Sequence, residues 1–130
     1  SVANTTDTAV DFTASATVEA DTHDMFATAN PDCLTVQVPG VYLLEGYVYW
    51  AADADGTRSL WIEVDGSMVC RTRTPVTDTT YYQQVSATVE LAADAVIELV
   101  VYHNAGAALN LNTGNGAPRL AATWLRPVTT

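Results

Sequence analysis

An antiparallel all-β sandwich is the fold class that the sequence predicts, and three observations predict it. Apolar residues alternate with a period of two along most of the chain, and no helical 3.6-residue stripe interrupts them. Turn signals return about every 8–12 residues. The chain has 130 residues and is 48% hydrophobic, enough for one domain with its own core. Together these imply about eight to ten strands in two packed sheets. No internal repeat is present.

Residues 1–10 are polar and threonine-rich and read as an extended N-terminal arm. Residues 11–130 read as the single sandwich domain. A first strand is expected at Asp11–Glu19, where Phe12, Ala14, Ala16 and Val18 alternate with polar neighbours. Residues 20–33 form a connection with a turn at Asn30-Pro31-Asp32, from which Met25 and Phe26 plug the core. Leu34–Val38 is a short strand. Pro39-Gly40 then punctuates the chain.

The longest β-prone run of the first half follows, Val41–Trp50. Both its faces are largely apolar: Tyr42, Leu44, Gly46, Val48 and Trp50 on one, Val41, Leu43, Glu45, Tyr47 and Tyr49 on the other. Strands at Arg58–Val64 and Ser67–Arg73 flank Asp65-Gly66, a tight-hairpin signal. Tyr81–Leu91, Ala95–His103, Ala107–Asn112 and Ala117–Arg126 complete the set. Pro127 ends it.

Charge limits the partners. Fifteen acidic residues face five arginines and no lysine, a formal net charge of −10. A phosphate backbone needs a cationic face, so nucleic acid is excluded, and anionic membranes equally. The bias toward Asp, Ala, Thr and Val suits a GC-rich or salt-adapted genome. No run of about 18 apolar residues suggests a membrane span. The first residues lack a signal-peptide pattern. Either a leader has been removed or the protein reaches its site by another route, such as assembly in a host cytoplasm, and the second is the expectation for a virion surface.

Chemistry-bearing motifs are sparse. Cys33 and Cys70 are expected to be free thiols. Asp53-Ala54-Asp55-Gly56 starts like a calcium loop, but it lacks the further ligands and reads as a turn. His103 is expected at a strand end, bonded locally or clustered around a symmetry axis. His23 beside Asp24 has no nucleophile tied to it. No catalytic residue, cofactor or metal site is expected. Arg71 and Arg73 alternate on one side of the outer hairpin and are the docking candidates.

The order of features resembles one known superfamily. Pro39-Gly40-Val41-Tyr42 opens an aromatic strand, Asp65-Gly66 closes a hairpin, and Leu91-Ala92-Ala93-Asp94-Ala95-Val96 feeds an apolar strand. This resembles the jelly roll of the tumour necrosis factor (TNF) and complement globular-head superfamily, with Ala93 where a glycine is usual. The last strand, Ala121-Ala122-Thr123-Trp124-Leu125, departs from the usual glycine followed by large aliphatics. The resemblance implies a TNF-like jelly roll used for binding rather than catalysis, assembled as a homotrimer.

An excess of apolar faces points the same way, because one sandwich cannot bury them all. The candidate interface residues are Tyr42, Tyr47, Tyr49, Trp50, Tyr102 and Trp124. Among proteins of this fold, a small acidic copy without a Gly-X-Y stalk best suits a virion surface protein. The expected function is a capsid decoration or head-fibre protein of a tailed virus, with the major capsid protein or another virion protein as partner. The alternatives are a receptor- or glycan-binding fibre head and a secreted complement- or cytokine-like module.

Overall fold

A computed structural model of the chain describes residues 1–12, 23–27, 29–53, 55–75, 81–111 and 117–128. Its strands are β1 (Thr8–Ala9), β2 (Leu34–Thr35), β3 (Gly40–Trp50), β4 (Thr57–Val64), β5 (Ser67–Pro75), β6 (Tyr81–Leu91), β7 (Val96–His103) and β8 (Arg119–Arg126). They form two antiparallel sheets. One has the order β1-β7-β4-β5, with β2 also paired to β7, and the other has the order β6-β3-β8. The architecture is an all-β, two-sheet jelly roll.

Alternation decides which side of each strand faces inward. On β3, Tyr42, Leu44, Val48 and Trp50 have no exposed surface, whereas Leu43, Glu45, Tyr47 and Tyr49 are half-buried. Leu60 and Ile62 of β4 and Ile97, Leu99 and Val101 of β7 meet them from the opposite sheet. Val85 and Leu91 of β6 close one flank, and Leu120 and Ala122 of β8 pack against the other.

Two glycines serve distinct purposes. Asp65 (φ 50°) and Gly66 (φ 82°) both take positive φ, as a two-residue hairpin with the strands' right-handed twist requires. The Asp65 carboxylate then accepts the Val96 N–H at 2.9 Å, which ties the hairpin to β7. Gly46 lies mid-strand, where an added Cβ would collide with Leu99 Cδ1. The sheets come close there because β3 lacks a side chain.

The first ten residues, read as an extended arm, pair with their own chain. β1 pairs with β7 through Thr8↔Val101 and Ala9↔Val100, and Val2 and Leu109 exchange backbone hydrogen bonds. Val2 and Val10 are buried in the core. The apolar residues at positions 2 and 10 supply burial that a frayed polar arm would lack. The strand expected at 11–19 lies largely outside the described residues. Where a strand was expected at Ala107–Asn112, the described residues 107–111 contribute only isolated bridges, Val2↔Leu109 and Trp50↔Leu111. Cys33 and Cys70 are both free.

Replacing Gly46 by valine is expected to overpack the contact with Leu99 and Val85. Urea denaturation should show a loss of about 1–3 kcal/mol.

Candidate functional site

The outward face of the three-stranded sheet is built from in-register rows. Tyr49 lies opposite Tyr82, and Tyr47 lies between Gln84 and Arg119. Glu45 lies between Ser86 and Ala121, and Leu43 between Thr88 and Thr123. The Tyr47 and Tyr82 rings meet edge-on at 4.8 Å and 62°, an arrangement that aromatic quadrupoles favour. The Tyr82 hydroxyl donates to Gln84 Oε1 at 2.7 Å, so its polar end is satisfied at the surface. Glu90 and Arg126, both exposed, flank Val41 at the far end. The result is an aromatic cluster of Tyr47, Tyr49 and Tyr82 toward one end, with Glu45 in the middle of the face and Leu43 beyond it.

The six candidate interface residues do not share this face. Tyr47 and Tyr49 lie on it. Tyr42 and Trp50 point the other way and are fully buried in the chain's own core. The physical reason is their even phase on β3. Tyr42 is fixed there by a hydrogen bond from its hydroxyl to the Val38 carbonyl, and burial raises its phenol above the ordinary range. Tyr102 lies opposite Ser59 on the outer side of the other sheet. Trp124 is opposite Tyr42 at the sheet's end and is 38% exposed, with its Nε1–H donating to the Pro39 carbonyl. Tyr82 belongs to the aromatic face, and its alternation with Gln84 and Ser86 signals that in the sequence.

Arg71 and Arg73 do share one face. Both are exposed on β5, in register with Trp61 and Ser59 of β4. Carboxylates occupy the other end of that surface. Glu63 and Glu98 face each other directly across β4 and β7. Glu63 Oε1 accepts the Trp61 Nε1–H at 2.9 Å. Burial, then Asp32 and Glu63, raises the Glu98 carboxyl above its ordinary range.

A polar cluster occupies the core at the end where β3 leads into β4. Arg58 is fully buried, and its guanidinium donates to the carbonyls of Asp55 (2.7 Å) and Asp53 (3.0 Å). Among the described residues its Nε has no hydrogen-bond partner. Its guanidinium carbon is 5.6 Å from the centre of the Trp50 ring. The Trp50 Nε1–H donates to Gln83 Oε1 at 2.9 Å, and Gln83 Nε2 donates to the Arg58 carbonyl at 3.1 Å. The backbone carbonyls of Asp53 and Asp55 thus wrap on an internal cation. Asp53 Oδ1 also accepts the Asp55 N–H at 2.9 Å. His103 lies in this cluster, buried against Trp50. It ends β7, as its sequence position implies, and its full burial is the added feature. Arg58 and His103 are in phase with the inward residues Leu60 and Val101, and that phase was the available signal.

No protein-family model matches the chain, and no curated protein matches it by sequence. Solved structures do. Murine APRIL at pH 5.0 superposes with a TM-score of 0.61 at 18% identity, over 72% of this chain and 73% of that one. Its structure at pH 8.5 gives 0.60 at 17% identity, over 72% and 71%. Eiger TNF from S. frugiperda gives 0.57 at 20% identity, over 77% and 68%.

The fold is a TNF-like jelly roll. Within this fold the two outer surfaces differ: an aromatic face on β6-β3-β8, and a charge-divided face on the other sheet.

The Glu63–Glu98 opposition generates a pH prediction. The Glu98 carboxyl is raised in the folded state, so its ionised form costs stability above the unfolded carboxyl range, about pH 4.3. That cost disappears as the pH falls and Glu98 protonates. Glu98→Gln is expected to raise Tm at pH 7, by up to about 1 kcal/mol of added stability. The gain should shrink toward zero in thermal melts near pH 4.

Proposed function

We propose that the chain is a non-enzymatic binding protein that assembles as a homotrimer through the outward face of β6-β3-β8. The observation that carries this reading is the double apolar character of β3. Its inner residues complete the sandwich, while Leu43, Tyr47 and Tyr49, with Tyr82 beside them, form an aromatic surface that the chain leaves partly uncovered. Soluble monomers rarely keep such surfaces without use. Tyrosine also suits the centre of an interface. The homotrimer typical of TNF-like proteins supports three copies as the assembly.

We further propose a place on a virus particle, as a capsid decoration or head-fibre protein. Composition supports this: a small acidic chain without lysine, carrying a net charge of −10. All four exposed arginines lie on β5 and β8, each an outer strand of its sheet among the described residues. Arg71 and Arg73 would dock on an acidic shell protein, with bidentate carboxylate contacts. The likeness to APRIL and Eiger TNF supports a second reading, a secreted cytokine-like ligand.

Native mass measurement is expected to give three chains of 13.8 kDa each at micromolar concentration. A clean monomer would rule the trimer out. Tyr47→Asp should weaken assembly about thirtyfold or more, as loss of an interface anchor does. The far-UV spectrum should not change. The location is tested by copy number. A decoration protein is present in many copies per particle, and its removal lowers particle stability. A chain found only free in the medium favours the secreted ligand.

A further inference from the structure

Charge on the outward face of β6-β3-β8 is sorted by strand. Among the described residues its acids stand on β3 and β6, as Glu45 and Glu90, and its arginines stand on β8, as Arg119 and Arg126. Glu90 and Arg126 are exposed at the two edges of the Val41 row. Glu45 differs from both. It is half-buried on the central strand, with Leu43 and Tyr47 two residues away on the same face. Its ladder partners are Ser86 and Ala121, the smallest pair on the face, so there is room beside its carboxylate. No hydrogen bond or ion pair joins Glu45 to another described residue.

Covering this face takes Glu45 out of water. A desolvated carboxylate without a cation opposes association, and a ring of identical copies must find that cation within itself. A ring of three buries most of an elongated face when its axis runs along the strands. Rotation about that axis leaves every residue at its own height. Arg119 is one row from Glu45, about 7 Å along the strand, whereas Arg126 is two rows away in the other direction. A guanidinium on its long apolar stem spans the first offset and not the second.

On the trimer reading above, we propose that Glu45 receives the Arg119 guanidinium of a neighbouring copy, and that this pair sets the register of the ring. Each copy then offers an anion to one neighbour and a cation to the other, the head-to-tail contact that closes a ring. The planar guanidinium can donate to both carboxylate oxygens. The pair also selects the partner. A neutral or acidic side chain at that height leaves Glu45 buried and unpaired, which favours a second copy of this chain over another aromatic sheet.

Opposite charge reversals on the full chain test this. Glu45→Arg sets an arginine against the neighbour's Arg119, and Arg119→Glu sets a carboxylate against the neighbour's Glu45. In native mass measurement, each variant alone should be mostly monomeric at a concentration where the wild type gives three chains. An equimolar mixture should regain trimers that contain both kinds of chain, because two of their three contacts are then complementary. The recovery should persist in about 0.5 M salt, where attraction between exposed charges is screened. Pairing within one chain gives no such recovery, since mixing leaves each chain's own two charges alike. With a trimeric wild type, trimers of either variant alone, or a mixture without mixed trimers, would overturn the pair and leave the trimer standing. A monomeric wild type would overturn both.

If the far-UV spectrum shows that a reversal does not fold, glutamine variants decide. Arg119→Gln should raise the concentration of half-assembly at least about tenfold, and adding Glu45→Gln should raise it no further. Single effects that simply multiply in the double variant would overturn the pair.

Discussion

A central strand with apolar residues on both faces has to be covered twice, and β3 imposes that constraint on the molecule. It is hydrogen-bonded on both sides, to β6 along its whole length and to β8 over Val41–Tyr47. Its inner residues set the spacing of the two sheets, with Gly46 admitting Leu99. Its outer residues leave the chain with an aromatic surface. Burial of the inner side chains stabilises the fold at about 1.5–3 kcal/mol for each large residue. The outer face contributes little until another molecule covers it.

The buried polar cluster works against stability and in favour of a defined structure. A fully buried guanidinium with one N–H unpaired among the described residues costs free energy that aliphatic packing would avoid. In return, Arg58 organises the carbonyls of the β3–β4 turn, and Gln83 joins β6 to β3 and β4 through side-chain bonds. His103 extends the same cluster to the first residues of the chain. One group of four side chains, Trp50, Arg58, Gln83 and His103, thereby links four strands, one turn and the N-terminal segment.

Much of this was legible in the sequence, for physical reasons that differ between elements. β3 and β6 lie almost where alternation places them, because one face of each is buried and a one-residue slip would expose the core. Asp65-Gly66 was legible because a type I′ turn needs positive φ at both positions. The short pairings β1 and β2 were not, since two residues carry no periodicity. The N-terminal segment looked like a free arm because Val2 and Val10 are isolated apolar residues in a polar stretch. The interface residues were only partly legible. Aromatic content alone does not say which face a tyrosine takes, and Tyr42 and Trp50 took the inner one. Register settles that, and register belongs to the folded sheet.

The central claim is that β3 gives one face to its own chain and the other to further copies of it. Side-chain labelling of tyrosines across a dilution series tests this directly. Tyr42 should stay protected at every concentration. Tyr47, Tyr49 and Tyr82 should be protected when assembled and become reactive together on dilution. Equal reactivity of these three at all concentrations, or protection confined to Tyr102, would contradict the account.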